Sequence, residues 1–254
     1  MKLYLIRHAE SVNNVIYTTT GSSKGTVPDP EITEPGHQQA RLLAKHLADP
    51  RAAAQHHPWM AGEDGDQGFG LTHLYCSLMT RSILTAQYIA EACGLPLTAH
   101  ADIFEKGGIY ERHDDGTKTG LPGPDRRDFN ERFPDLQLPA ALGDGGWYDR
   151  PPETEEQFLQ RSKHVVADIE RRHADTGDCV AMVVHGDLLD QLINELVGAR
   201  RHPENYSNHW VANWACHNTS ITRVDYVSGS RTGCLHQPAA APPARGGNLV
   251  EGKS

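Results

Sequence analysis

The strongest constraint in the chain is a pair of short apolar runs that end alike, "KLYLIRH" (Lys2 to His8) and "CVAMVVHG" (Cys179 to Gly186). Neither carries a helical period. Continuous apolar runs of this length fit strands buried on both faces, as in a parallel sheet with helices above and below. Parallel strands need long crossovers, and helical patterns do separate these runs. Thr33 can cap a helix whose first turn takes Pro35, with Ala40, Leu43 and Leu47 following at i, i+3 and i+7. "THLYCS" (Thr72 to Ser77) reads as another strand. Met79, Ile83, Ala86, Ala90 and Cys93 then give a helix its buried face, and Gly94 and Pro96 stop it. "PLTAH" reads as an edge strand. Thr154 and Gln157 form a capping box ahead of Phe158, Val165, Val166 and Ile169, and "DLLDQLINEL" is a helix after the second His-ended strand. "NTSITRVDY" and "RTGCLH" form a closing hairpin. The expected fold class is α/β, a three-layer αβα sandwich with a mostly parallel central sheet.

The 254 residues, 38% of them hydrophobic, suffice for one domain with a real core. That domain is expected over residues 1–236, with an insertion from Gly107 to Pro152 and a mobile, Pro/Gly/Ala-rich tail over 237–254. The insertion is rich in Gly, Pro, Asp and Arg and too long for a plain connection, so it reads as a lid, a substrate loop or a disordered segment. Residues 50–71 lack any period and read as a surface loop. A formal charge of −9 argues against nucleic acid or an anionic membrane as partner. The five cysteines include no C-x-x-C pair, and Cys93 and Cys179 sit in apolar surroundings, as expected of packed thiols in a reducing compartment. A strand begins at residue 2, leaving no room for a signal peptide, and no run of about 18 apolar residues occurs, so a soluble cytoplasmic protein is expected.

In open α/β sheets ligands collect at the carboxyl ends of the strands, where both His8 and His185 fall. Arg7, Arg81 and Glu105 can meet them there. Two guanidiniums and two imidazoles suit a phosphoryl dianion, because arginine matches phosphate oxygens with a planar fork.

These stretches resemble the histidine phosphatase (phosphoglycerate mutase-like) superfamily. "RHAES" corresponds to its R-H-G-x-[ST] signature, "ITEPGHQQA" to L-T-x-x-G-x-x-Q-A, "SLMTRSILTA" to S-x-x-x-R-A-x-x-T-A and "VVHGD" to V-x-H-G, with the Glu of "FEKGG" and "NTSIT" in the expected order. The likeness spans roughly residues 2 to 236, and Ala9 stands where the family usually has glycine. It implies that His8 is a nucleophile carrying the phosphoryl group, and that Arg7, Arg81 and His185 surround the equatorial oxygens. Asn14 and Gly186 join the implied phosphate pocket. Glu105 would protonate the leaving alkoxide and later deprotonate water, but its "EKGG" setting departs from the family wording and leaves Glu111 as a rival. Glu10 reads as scaffold. The implied chemistry needs no metal or other cofactor, and no H-E-x-x-H or Cys/His ligand spacing occurs.

Several residues keep two readings. Gly21, Arg126 and Arg127 are candidates for a substrate subsite, yet the arginines, like Arg132, alternate with acids as an ion-paired surface would. Ser77 reads as a helix cap or a ligand contact, Trp147 and Tyr148 as a pocket wall or core packing, and Gly107-Gly108 as a close approach to ligand or a hinge. The expected activity is a phosphatase acting on a small phosphate ester. A phosphoglycerate-type mutase is the alternative, although the arginine pair here precedes "DFNERFP" rather than a proline run. A non-catalytic relative would be expected to lose His8, an arginine or His185, and all are present.

Overall fold

The computed structural model describes residues 1–52, 69–199, 214–227 and 230–237. The expected tail beyond Gln237 and most of the loop expected over 50–71 lie outside them. In chain order the elements are β1 (Lys2–Arg7), α1 (Val12–Thr20), α2 (Glu34–Ala48), β2 (His73–Cys76), α3 (Thr80–Cys93), β3 (Leu97–Ala99), β4 (Tyr110–Arg112) and β5 (Lys118–Gly120). They continue as α4 (Arg126–Arg132), β6 (Leu136–Gln137), α5 (Glu155–His173), β7 (Cys179–Val184), α6 (Gly186–Leu196), β8 (Ile221–Val227) and β9 (Ser230–Gln237). None of the described helices is long and apolar enough to cross a membrane.

Seven strands form one sheet in the order β6-β3-β2-β7-β1-β8-β9. The first five are parallel, and β8 runs antiparallel to both its neighbours. Alternate side chains serve two cores, as the pleat requires. Tyr4, Ile6, Leu74 and Val183 pack with Leu43, Leu47, Ile83 and Ile89 of α2 and α3. Leu3, Leu5, Val180 and Met182 pack on the other side with Phe158 and Val165 of α5 and Leu188 and Leu192 of α6. All six residues of β7 are buried, which is why its sequence is apolar without alternation.

The helix ends follow the expected chemistry. Thr33 accepts from Gly36 N–H, Thr154 and Gln157 cap each other, and Gly94 closes α3 in the left-handed region at φ 65°. The structure adds α1, whose start is a capping box of Ser11 with Asn14 and whose end is Gly21 at φ 66°. Sequence reading misses α1 because it buries no side chain and so lacks an apolar face.

The insertion is built rather than disordered. It makes the separate hairpin β4–β5, the short helix α4, and β6, which pairs with β3. Thus "PLTAH" is not an edge strand, since two residues of the insertion cover its outer side. Tyr148 anchors this region: its hydroxyl donates to Gly107 O at 2.9 Å and accepts from Glu153 N–H at 3.0 Å, and its ring meets Phe104 edge-on at 5.3 Å. Gly108 has φ +74°, and a Cβ there would lie 2.0 Å from Tyr148 Cζ. Gly108 therefore serves the close approach of an internal aromatic ring, whereas a Cβ on Gly107 would stand 3.1 Å from the ring of Tyr110.

Gly108→Ala should destabilise the protein by about 2–4 kcal/mol, from steric overlap plus left-handed strain. Gly116→Ala, at φ +85° with nothing within 4 Å, should cost only about 1–2 kcal/mol. Denaturant unfolding of the two variants checks this; equal losses would contradict the packing assignment.

Candidate active site

β1 ends at Arg7, and His8 leaves the sheet with its N–H donating to Val184 O at 2.9 Å. Its Nδ1 lies 2.7 Å from Ala9 O. A carbonyl only accepts, so Nδ1 carries the proton and Nε2 presents a lone pair. Arg81 Nε donates to that Nε2 at 3.2 Å. Burial, then Arg81 and Arg7, hold the His8 pKa well below 6.5, so the imidazole is neutral at pH 7. Ala9 is fixed by Thr85 Oγ1, which accepts its N–H at 3.0 Å. Glu10 is scaffold: Thr33 Oγ1 donates to its carboxylate at 2.7 Å, and α2 comes so close that a Cβ on Gly36 would stand 2.2 Å from Glu10 O.

Arg81 lies in the first turn of α3 and is buried. Asp29 accepts from Thr80 N–H and Oγ1 and stands 3.8 Å from Arg81 Nη1, so it steadies the start of the helix and the guanidinium together. Arg7 Nη1 donates to Cys216 O at 2.6 Å, while its Nε is buried with no acceptor among the described residues. Asn14 Oδ1 accepts from Ser11 N–H at 3.0 Å and from Asn218 Nδ2 at 3.2 Å, and the same Asn218 amide donates to His8 O at 2.9 Å.

His185 precedes α6 and is fully buried. Its Nε2 is 2.7 Å from Ser77 Oγ, and that oxygen accepts from Met79 N–H at 3.2 Å. Because a hydroxyl oxygen can accept twice, this bond is compatible with either direction and either tautomer of His185, whose Nδ1 is buried with no partner among the described residues. Burial, then Arg81 and His8, lower the His185 pKa well below 6.5. Its ring centroid is 5.2 Å from that of His8.

Glu105 reaches the same place from the loop after β3. Its Oε1 accepts from Lys106 N–H at 2.9 Å and from Leu188 N–H at 3.2 Å, in the first turn of α6. Burial and the neighbouring Asp187 raise its pKa, against the pull of Arg81. The carboxyl is thus biased toward holding a proton beside two guanidiniums.

These groups share a pocket of about 480 Å³, lined by Arg7, His8, Asn14, Arg81, Glu105 and Gly186 among others. His185 stands behind this lining, against His8. Glu111 is exposed on β4 and does not line the pocket, whereas its neighbours Tyr110 and Arg112 form part of the rim. Gly21 only closes α1. Arg126 is spent on the carbonyls of Leu142 at 2.9 Å and Pro139 at 2.6 Å, Arg127 is exposed, and Arg132 pairs with Glu31 at 2.5 Å. None of the three arginines lines the pocket. Tyr148 and Trp147 pack with Phe104 instead of forming its wall. Asp29, Thr85 and Asn218 are not singled out by sequence reading; Asn218 and Thr85 carry a signal, as the first letter of "NTSIT" and the last threonine of "SLMTRSILTA", and Asp29 carries none. Buried N–H donors and two guanidiniums suit an anion with several acceptor oxygens and repel a cation.

A profile described as "Histidine phosphatase superfamily (branch 1)" matches residues 64–235. A protein named "Probable phosphoglycerate mutase GpmB" from Klebsiella pneumoniae is 27% identical over 228 residues, which is 89% of this chain and 85% of that one. The fold is shared with the alpha-ribazole phosphatase of Shigella flexneri, at 18% identity and a TM-score of 0.55, covering 95% of this chain and 96% of that one. It is also shared with a mycobacterial glucosyl-3-phosphoglycerate phosphatase solved with VO3, at 17% identity and a TM-score of 0.52, covering 88% and 90%.

The buried imidazoles give a stability prediction. His8, His100 and His185 all have folded pKa values below 6.5, so the unfolded chain binds more protons as pH falls beneath that value. Their contribution is complete above about pH 6.5 and is lost below it, by up to about 1.4 kcal/mol per pH unit for each group. Calorimetry between pH 7.5 and 5 should show a flat region and then a falling midpoint, with a shallower fall in His185→Gln. A midpoint that rises on acidification would contradict the buried neutral state.

Proposed function

This chain belongs to the histidine phosphatase superfamily, branch 1, and we propose that within it the protein is a phosphomonoester hydrolase working through a phosphoryl group on His8 Nε2. The observation that carries this reading is the fixed tautomer of His8. Its Nδ1 proton is committed to Ala9 O, and burial among cations keeps the ring neutral, so Nε2 is a nucleophile without a prior deprotonation step.

In the first step Nε2 attacks phosphorus and the P–O bond to the alcohol breaks. Glu105, whose pKa is raised by burial and by Asp187, gives a proton to the departing oxygen once the substrate dianion offsets the pull of Arg81. In the second step the Glu105 carboxylate takes a proton from water as the water oxygen attacks phosphorus, the P–N bond breaks, and phosphate leaves with His8 restored. Arg7 and Arg81 offset the charge on the equatorial oxygens in both steps, and Asn14 and the Gly186 backbone complete the cradle. The cationic charge comes from the chain itself, so this scheme needs no metal. Glu105 is favoured over Glu111 because it lines the pocket beside His8 and Arg81.

The substrate class is a small phosphate ester, in keeping with the names of the solved relatives. A mutase reading draws on the relative named as a mutase. Against it, Arg126 and Arg127 do not line the pocket, so the arginine pair of the insertion is not placed to hold a second anionic group of a phosphoglycerate.

Incubation with a panel of phosphate esters, including 3-phosphoglycerate with its bisphosphate primer, should release inorganic phosphate without isomer formation and in the presence of EDTA. Isomer formed without free phosphate would overturn the phosphatase reading. Glu105→Gln should slow hydrolysis of an alkyl phosphate by about 10²–10⁴-fold while leaving p-nitrophenyl phosphate far less affected in the phosphorylation step. Equal losses in single-turnover measurements would remove Glu105 from the acid role.

A further inference from the structure

The opposite end of the sheet holds a second cluster of chemistry-bearing side chains. His73 opens β2, His173 ends α5 and Asp178 directly precedes β7, so all three gather at the amino ends of the strands. β7 is six residues long, which puts this cluster about 20 Å from the crevice at the carboxyl ends. One donor atom from each residue lies within 4.8 Å of the other two.

The geometry points to a binding site for a divalent transition metal of the zinc type, ligated by His73, His173 and Asp178. A tetrahedral zinc ion with bonds of about 2.0–2.1 Å places its donors about 3.3 Å apart. Asp178 Oδ2 is 2.7 Å from His173 Nδ1 and 3.9 Å from His73 Nδ1, so the separations bracket that value and small side-chain rotations reach it. Two imidazoles with one carboxylate favour zinc, nickel or copper over magnesium or calcium.

The surroundings match what such ligands need. Tyr75 OH lies 3.1 Å from His173 Nε2 in a buried position, so it can accept that N–H and fix the ring while Nδ1 turns its lone pair to the metal. Thr72 Oγ1, 2.9 Å from His73 Nδ1, also contacts Cys179 O at 3.2 Å and accepts from Cys179 N–H at 3.0 Å. It stays partnered when His73 turns away. The side chains of His73 and Asp178 are 41% and 25% exposed, leaving an entry path and room for a water as fourth ligand. A hydrogen-bonded His173–Asp178 pair alone does not need the second imidazole, whose ring stands edge-on to His173 at 4.6 Å and offers a nitrogen to the same carboxylate. A bound ion would clamp the end of α5 to the start of β2.

The test uses the full chain, stripped with EDTA and dialysed. Calorimetric titration with Zn²⁺, and with Co²⁺ followed by its visible absorption, should show one equivalent bound with micromolar or tighter affinity and a raised unfolding midpoint. His73→Ala and Asp178→Asn should each weaken binding at least about tenfold. Circular dichroism checks that both variants remain folded, and both should keep full phosphatase turnover. His8→Ala should bind the metal unchanged, which separates this site from the phosphoryl chemistry. No uptake by the wild type, or uptake that neither substitution weakens, would overturn the assignment and leave only adventitious binding to surface histidines.

Discussion

The parallel pairing of β1 with β7 is the interaction on which the rest depends. Its register sets Arg7 beside Val184, so His8 and the residue after Val184, His185, emerge from adjacent strand ends with their rings 5.2 Å apart. A slip of one residue would exchange the two faces of a strand whose six residues are all buried, and every core contact would be lost with it. β2, on the other side of β7, adds Ser77 to the same end, and the Ser77–His185 bond joins the second strand end to the third. Ser82 locks the arrangement by donating to Val183 O at 2.7 Å, which places the first turn of α3, and hence Arg81, above the crevice.

Electrostatics then follow from burial. The chain carries a net charge of −9, yet its crevice concentrates two guanidiniums. Enclosure beside them drives the imidazoles neutral, as the nucleophile requires. Burial lowers the pKa of Arg81 as well, and Asp29 and Glu105 counter that effect. Glu105 thereby has two duties. It balances positive charge in the resting pocket, and its raised pKa makes it a proton donor once a dianion replaces part of that balance.

The parts legible in the sequence were those fixed by local rules. The two His-ended strands, the Thr33 and Thr154 caps, and the Gly94 stop each rest on a few adjacent residues, and each appears as expected. What was illegible depends on distant contacts. Nothing near "LQ" announces a strand, because β6 exists only through pairing with β3. Arg126 reads from sequence as an anion ligand or as part of an ion-paired surface, yet its partners are carbonyls 13 and 16 residues away, on a fold of the insertion invisible to periodicity. The same limit hid the His73, His173 and Asp178 cluster, whose members lie on β2, α5 and the start of β7 and show no ligand spacing along the chain.

The central claim is that His8 Nε2 carries the phosphoryl group during turnover. Rapid acid-free quenching of the protein with excess phosphate ester, followed by peptide mass spectrometry under alkaline conditions, tests it most directly. An added phosphoryl group should be found on His8, stable to base and lost in acid, with more of it in a Glu105→Gln variant if water attack is slowed. A His8→Ala protein that keeps wild-type turnover, or a phosphoryl group found on another residue instead, would contradict it.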